Sequence, residues 1–134
     1  MANENQLAAN KSLVAQFWTA FSESRFDDAL ELMHDEGSWW VAGSTGISGT
    51  YTKEEFRALV NSVAGGTKAG IQITSTGITA EGNRVAMEAV SDGETQDGKR
   101  YLNKYHFLQE IRDGKLWAIR EYMDPEHVRE VFGV

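Results

Sequence analysis

The chain has 134 residues, a formal net charge of −7 and no cysteine. This length suits one domain with one hydrophobic core, which we place over residues 1–134, and the composition is that of an ordinary globular protein. The acidic balance argues against nucleic acid and membranes as partners, and the lack of cysteine excludes disulfides and thiol nucleophiles. No apolar run reaches the roughly 20 residues of a membrane helix, and the first residues lack a signal-peptide pattern, so we expect a cytoplasmic protein.

The first half of the chain is predicted to be mainly helical. Apolar residues recur there at helical spacing in three segments. These segments are residues 5–24, 26–34 and 52–64. Thr52 and Glu55 have the spacing of a capping box, which predicts the start of the third helix. A short strand is expected at 38–41, and the glycines and serines of 43–49 predict a loop.

The second half is predicted to be an antiparallel meander, because runs with alternating side chains are separated by Gly-containing turns. The strands are expected at residues 68–80, 84–95, 101–112 and 115–123. Pro125, capped by Asp124, starts a short C-terminal helix. Together these elements predict an α+β fold in which three N-terminal helices pack on a curved antiparallel sheet. Because long strands twist and coil, we expect a cone-shaped roll with an apolar pocket on its concave side.

The last strand supplies the strongest candidate for a functional residue. One set of alternating side chains is mainly apolar and is predicted to face inward; it consists of Trp117, Ile119, Glu121 and Met123. A carboxylate on this face needs a reason, because carboxylates are rarely buried without a partner. Burial raises the pKa of a carboxyl group toward the range that a general acid or base needs. Glu121 is therefore a candidate catalytic residue, and an internal hydrogen bond or ion pair is the alternative explanation.

The orientation of the preceding strand depends on the turn at Asp113-Gly114. A two-residue turn places Glu121 opposite His106, whereas a three-residue turn with Gly114 in the left-handed region places it opposite Tyr105. We favour the second register, because it points Lys104 and Glu110 away from the core. The same register directs four side chains inward: Asn103, Tyr105, Phe107 and Gln109.

Tyr105 and Asn103 are predicted to act beside Glu121 as hydrogen-bond donors that polarise a carbonyl group or a water molecule. Tyr101, near the start of the same strand, is expected at the rim. The predicted ligand-binding residues are Trp18, Phe21, Trp40, Phe56, Phe107, Trp117, Ile119 and Met123, and Trp39 belongs to the same aromatic set. For any one of these residues, ordinary core is the stronger interpretation, but as a set they favour an apolar pocket with flat walls that suit a ring-shaped ligand. The three histidines lack ligand-type neighbours at metal spacing, so we expect no metal site.

The segment from Arg112 to Asp124 carries a family resemblance. It contains an Arg-Asp-Gly-Lys hairpin followed by Arg-Glu-Tyr-Met-Asp. With the order of elements, it resembles the nuclear transport factor 2-like superfamily, in its SnoaL-like and ketosteroid-isomerase-related branch. This resemblance implies a cone-shaped fold with an internal pocket, frequently a homodimer through the outer sheet face. It also implies that Glu121 matches the acidic residue of SnoaL-like and limonene epoxide hydrolase-like enzymes.

The same resemblance disfavours two specific activities. A ketosteroid isomerase would need a tyrosine where Phe17 stands and an aspartate near Trp40 or Val41. An epoxide hydrolase would need an Arg-x-Asp motif where residues 89–91 read Ala-Val-Ser. The histidine partner of the SnoaL-like cyclases is also displaced, because Phe107 stands at its place and His106 lies one step away.

Three functions remain open at this point. The first is an enzyme of the isomerase, cyclase or lyase type that acts without a cofactor on a hydrophobic small molecule by proton transfer at Glu121. The second is a ligand-binding or accessory protein that uses the same pocket. The third is a partner-binding domain whose outer sheet face is the working surface.

Overall fold

A computed structural model describes residues 3–134 of the chain. The helices are α1 (Glu4–Ser22), α2 (Phe26–Glu31), α3 (Lys53–Gly65) and α4 (Pro125–Phe132). The strands are β1 (Met33–Val41), β2 (Gly49–Thr52), β3 (Thr67–Glu81), β4 (Arg84–Thr95), β5 (Arg100–Tyr101), β6 (Lys104–Arg112) and β7 (Lys115–Met123). Over this part of the chain, no helix has the length and apolar character needed to cross a bilayer.

The strands form one curved mixed sheet in the order β2-β1-β7-β6-β4-β3, with β5 paired to β4. The predicted α+β class is confirmed, but the expectation of a wholly antiparallel sheet is wrong. Strand β1 pairs with β7 in parallel. A parallel pair needs a long connection, and here the rest of the sheet and α3 lie between the two strands in sequence. Adjacent strands joined by turns, such as β6 and β7, are antiparallel as predicted.

Local signals at the helix starts are confirmed by hydrogen bonds. The Thr52 hydroxyl accepts the Glu55 N–H at 3.1 Å, and the Glu55 carboxylate accepts the Thr52 N–H at 2.9 Å. Asp124 accepts the Glu126 N–H at 3.0 Å and caps α4. These caps satisfy backbone donors that a helix N-terminus leaves without partners.

Three boundaries differ from the prediction. Helix α2 ends at Glu31, so residues 33–34, predicted helical, begin β1. Strand β2 begins within the predicted loop, at Gly49, and pairs with β1. The predicted strand 101–112 is interrupted at residues 102–103, which separates β5 from β6.

The core lies between the concave face of the sheet and the helices. Its largest fully buried members come from α1, α2 and the central strands; they include Phe17, Leu30, Met33, Trp39, Met87 and Phe107. A buried polar pair joins the two layers, because Trp18 Nε1 donates to Gln109 Oε1 at 2.8 Å. Gln109 Nε2 in turn donates to the carbonyl oxygen of Val85 at 3.1 Å. Both buried side chains therefore have the partners that burial of polar groups requires.

The register of β6 and β7 differs from both predicted versions. Asp113 and Gly114 have φ values of 54° and 72°, and Arg112 pairs with Lys115, so the turn has two residues. The register then shifts between Glu110 and Ile111, and Glu121 pairs with Phe107 rather than with His106 or Tyr105. The shift leaves one extra residue on β7, which is a β-bulge at Trp117.

The predicted faces of β6 are nevertheless confirmed. Phe107 and Gln109 are buried, whereas Lys104 and His106 are exposed. A two-residue turn without a bulge would have placed inward residues of β7 opposite outward residues of β6. The extra residue at Trp117 shifts the pairing by one position, so inward residues of the two strands lie opposite each other. Glu121 therefore keeps the inward orientation that alternation on β7 predicts, although its cross-strand partner is different.

Two tryptophans predicted to face the pocket lie on the outer face instead. The bulge turns Trp117 outward, where the Arg112 guanidinium lies 4.1 Å from the centre of its ring, and Leu116 is fully buried in its place. Trp40 packs its ring against Tyr122 at a centroid distance of 5.2 Å. Alternation along β1 gives the buried position to Trp39, so the assignment of Trp40 to the pocket is wrong.

Candidate functional site

A cavity of about 330 Å³ lies between the concave sheet face and the helices. Its volume is near the lower end of the range typical of small-molecule sites, roughly 300–1,000 Å³. The aromatic side chains that line it are Trp18, Phe21, Phe26, Trp39, Phe56, Tyr101, Tyr105, Phe107 and Phe132. Most of the remaining lining consists of aliphatic side chains of α3, β3 and α4. The polar functional groups come mainly from Glu121 and the two tyrosines.

The predicted ligand-binding residues divide into two groups. Trp18, Phe21, Phe56 and Phe107 line the cavity. The other four residues lie outside the lining; they are Trp40, Trp117, Ile119 and Met123. Ile119 is fully buried in the core, and Met123 is half-buried and packs against that core. Both therefore lie on the inner face without reaching the cavity. The two tryptophans lie on the outer face.

Stacked aromatic pairs form flat surfaces along the cavity. The rings of Trp39 and Phe56 are 3.7 Å apart and nearly parallel, at 10°. The rings of Tyr105 and Phe107 are 5.0 Å apart, at 9°. Trp18 lies 4.3 Å from Phe107 and links the second pair to α1. Such surfaces suit the faces of a planar or ring-containing molecule.

Glu121 brings a carboxyl group to this apolar cavity. Its Oε1 accepts a hydrogen bond from Trp39 Nε1 at 2.9 Å. Burial raises the pKa of Glu121 to about 7, and the hydrogen bond from Trp39 partly opposes this shift by stabilising the carboxylate. A group with this pKa is present in both protonated and ionised forms at neutral pH, which suits a general acid or base.

Two tyrosine hydroxyls lie together at another part of the lining. The hydroxyls of Tyr101 and Tyr105 are hydrogen-bonded to each other. Burial raises the pKa of Tyr101 to about 12 and the pKa of Tyr105 well above its usual value. Both side chains are therefore neutral hydrogen-bond donors at physiological pH.

Asn103 lies behind the tyrosine pair rather than beside Glu121, where it was predicted. It is buried and does not belong to the cavity lining. Its Oδ1 accepts the backbone N–H groups of Lys104 and Asp124 at 2.8 and 3.1 Å. Its Nδ2 donates to Tyr101 Oη and to the Asp124 carbonyl oxygen, both at 3.0 Å. Asn103 lies in the interruption between β5 and β6, and its side chain contacts Asp124, the residue that follows β7.

Several parts of the site were not predicted. Tyr101 was expected only at the rim, and Trp39 was not expected as the hydrogen-bond partner of the carboxylate. The contribution of α4, through Val128 and Phe132, follows from the amphipathic pattern of that helix. Among residues 3–134, no group of three or more His, Asp or Glu side chains is arranged to hold a metal ion.

The model of the SnoaL-like domain family matches residues 14–119. This chain belongs to the SnoaL-like domain family. The SnoaL-like domain is part of the NTF2-like superfamily, so the predicted family is confirmed. The match covers α3 and most of the sheet, including Phe56 and Phe107, and ends two residues before Glu121.

Solved structures agree with this SnoaL-like fold. Bal32a, from a soil-derived mobile gene cassette, is 21% identical with a TM-score of 0.84, covering 93% of this chain and 97% of its own. TerC co-crystallized with polyporic acid is 17% identical with a TM-score of 0.82, covering 94% and 99%. IdmH from Streptomyces antibioticus, described as a putative polyketide cyclase, is 15% identical with a TM-score of 0.77, covering 93% and 99%. A comparison with curated protein sequences found no match.

Proposed function

We propose that this SnoaL-like domain is an enzyme that binds a hydrophobic, ring-containing small molecule and transfers a proton with Glu121. The observation that carries the proposal is the Glu121 carboxyl group, which borders an apolar cavity and has a pKa of about 7. The similarity to TerC, which was co-crystallized with polyporic acid, and to IdmH, described as a putative polyketide cyclase, supports a small-molecule ligand. Isomerases, cyclases and some lyases share proton transfer at carbon.

The proposed chemistry needs no cofactor. Trp39 holds Oε1 of Glu121, which leaves Oε2 without a protein donor among the described residues. Oε2 would remove a proton from a carbon atom next to a substrate carbonyl group. The C–H bonding electrons would then form the enolate, whose oxygen would accept a hydrogen bond from Tyr105. Return of the proton from Glu121 to a second carbon would complete an isomerisation.

A second candidate function is ligand binding without turnover. It is favoured by the composition of the lining, in which Glu121 has the only carboxylate side chain among the described residues. In a binding protein this group would anchor one polar end of the ligand. The two functions differ in whether a bound carbon acid exchanges its protons faster than in buffer.

The proposed enzyme function is tested with 2-tetralone, a bicyclic ketone with acidic hydrogens at C1. In D₂O at pH 7, we expect the wild-type protein to accelerate deuterium incorporation at C1 about 100-fold or more over the same buffer, as general bases typically do. Proton NMR measures the rate. Tetralin, which has the same two rings but no carbonyl group, should inhibit by occupying the cavity. Binding of 2-tetralone without acceleration would favour the ligand-binding function, and no binding of either molecule would contradict both functions.

We also propose that the protein is a cytoplasmic homodimer formed through the outer sheet face. Apolar and aromatic side chains cluster on that face, where Trp40 is half-buried and Tyr122 remains 41% exposed. Tyr122 pairs with His106, and Leu108 pairs with Arg120 on the same face. A surface that combines aromatic side chains with a few charges is typical of protein interfaces.

Tyr122→Asp is expected to convert this dimer to a monomer, because an unpaired carboxylate would be buried at its centre. Light scattering coupled to size-exclusion chromatography gives the mass. Ala15→Asp adds the same charge on an exposed side of α1 and should leave the dimer intact. A wild-type protein that is monomeric at micromolar concentration would contradict the proposal.

A further inference from the structure

The orientation of the Asn103 amide is fixed by its surroundings. Its Oδ1 receives two backbone N–H donors, from Lys104 and Asp124. A flipped amide would place NH₂ against those two donors and oxygen against the Asp124 carbonyl oxygen, so all three contacts would be repulsive. The nitrogen must therefore face Tyr101, and Asn103 is a hydrogen-bond donor to the Tyr101 hydroxyl at 3.0 Å.

This orientation determines the direction of the next hydrogen bond. A hydroxyl group has one proton to donate. Since the Tyr101 oxygen already accepts from Asn103, its own proton is free for the Tyr105 oxygen, the hydroxyl that contacts it. The contact itself allows either hydroxyl to donate, and donation from Tyr101 to Tyr105 is the direction that gives the Tyr101 proton an acceptor among the described residues.

The Tyr105 hydroxyl is the last protein group in this series of hydrogen bonds. Its oxygen accepts from Tyr101, and its side chain belongs to the cavity lining. The Tyr105 proton is consequently left for an acceptor in the cavity.

We propose that Asn103 sets the direction of a hydrogen-bond chain from Asn103 through Tyr101 to Tyr105, and that the cavity therefore selects ligands with an acceptor oxygen opposite Tyr105. This inference rests on the proposed function and adds the two residues that direct the Tyr105 proton toward the ligand, Asn103 and Tyr101. Asn103 is a positioning residue in this scheme, because it acts on the ligand only through the tyrosines.

The position of Tyr105 relative to Glu121 fits one ligand that contacts both. Phe107 pairs with Glu121 and Tyr105 pairs with Met123, so Tyr105 and Glu121 are diagonal neighbours on the inner face. Diagonal neighbours in antiparallel strands are within reach of long side chains. A carbonyl oxygen at Tyr105 and its adjacent carbon at Glu121 would satisfy both contacts at once.

The test compares 2-tetralone with tetralin, which have the same rings and differ in the carbonyl group. We expect the wild-type protein to bind 2-tetralone about 5-fold more tightly, the effect of one hydrogen bond of ~1 kcal/mol. The carbonyl stretching band of bound 2-tetralone should lie below its position in an apolar solvent. Calorimetry and infrared difference spectroscopy measure the two effects.

Asn103→Asp should reverse the chain. Its outer oxygen would accept from Tyr101, and Tyr101 would in turn accept from Tyr105, so the cavity would lose its donor. The 5-fold preference should disappear and the carbonyl band should return to its apolar position. Tyr105→Phe should have the same two effects without altering the Asn103 contacts. The control is Tyr51→Phe, whose hydroxyl donates to the Ile47 carbonyl oxygen at 2.7 Å and lies outside the lining; it should retain both effects.

A folded Asn103→Asp variant that retains the full preference and the shifted band would overturn the proposed direction. If that variant does not fold, retention of the preference by Tyr105→Phe would overturn the proposal in its place. Equal wild-type affinity for 2-tetralone and tetralin would also overturn it. That result would leave proton transfer by Glu121 intact if exchange at C1 is still accelerated, so the two proposals fail separately.

Discussion

Glu121→Gln is expected to reduce the accelerated deuterium exchange at C1 of 2-tetralone by about 100-fold or more, because general acid–base catalysis commonly contributes that much. The substitution preserves the size of the side chain. The amide oxygen of glutamine can still accept the hydrogen bond from Trp39 Nε1, which now joins Trp39 to Oε1 at 2.9 Å. What the variant loses is a group that can take up and return a proton.

The pH dependence of the exchange rate gives a second readout of the same group. Proton removal requires the carboxylate, so the wild-type rate should rise with pH and level off above the pKa of Glu121, which is about 7. The residual rate of Glu121→Gln should show no such inflection. NMR rates between pH 5 and 9 measure both profiles.

The matched control is Glu110→Gln, which makes the same chemical change on the neighbouring strand. Glu110 lies on the outer face and forms an ion pair with Arg84 at 3.9 Å. This variant should retain the wild-type exchange rate. Equal rates for wild type and Glu121→Gln would contradict the assignment of Glu121 as the base, whereas parallel losses in both variants would indicate a general effect on the fold.

Alternation carried much of the sequence-based prediction of this site. On β7 it placed Glu121 on the inner face, and on β6 it placed Phe107 there, because each strand has one buried face and the period of side chains is two. The helix starts at Thr52 and Asp124 were also predictable, since their side chains cap backbone donors in their own helix.

Features that depend on contacts between distant segments were not predictable from the same patterns. The bulge at Trp117 combines with a two-residue turn, and either feature alone would give a different partner for Glu121. Alternation within 38–41 does not state which of Trp39 and Trp40 faces inward until β1 is known to pair with β7. The role of Asn103 depends on a backbone contact with Asp124, which lies 21 positions further along the chain.

At neutral and alkaline pH, the Glu121→Gln variant is also expected to be more stable than the wild-type protein. The pKa of Glu121 is about 7 in the folded protein, against 4.5 for an ordinary glutamate in the unfolded chain. Below pH 4.5 the carboxyl group is protonated in both states and carries no penalty. Between pH 4.5 and 7 the unfolded state releases the proton first, so wild-type stability falls as pH rises through this window.

The size of this effect follows from the pKa difference. Each pKa unit corresponds to about 1.4 kcal/mol, so a difference of 2.5 units between 4.5 and 7 lowers the free energy of unfolding by at most about 3.5 kcal/mol, and it should remain at that lower level above pH 7. Because the carboxyl group borders the cavity, residual solvation would reduce the difference below this limit. Glutamine does not ionise, so the free energy of unfolding of the variant lacks this decrease with pH.

Urea denaturation of both proteins at several pH values between 4 and 9 measures the difference. We expect the free energy of unfolding of Glu121→Gln, relative to wild type, to increase between pH 4.5 and 7 and then to remain constant. Carboxyl groups with a lowered pKa, such as Asp35 beside Lys53 and Glu94 beside Lys68, have the opposite pH dependence, but they are present in both proteins and cancel in the comparison. A difference that does not change with pH would show that Glu121 ionises as easily in the folded chain as in the unfolded one. A gain in stability together with a loss of exchange would indicate that the buried carboxyl group is retained for its chemistry, at the expense of the fold.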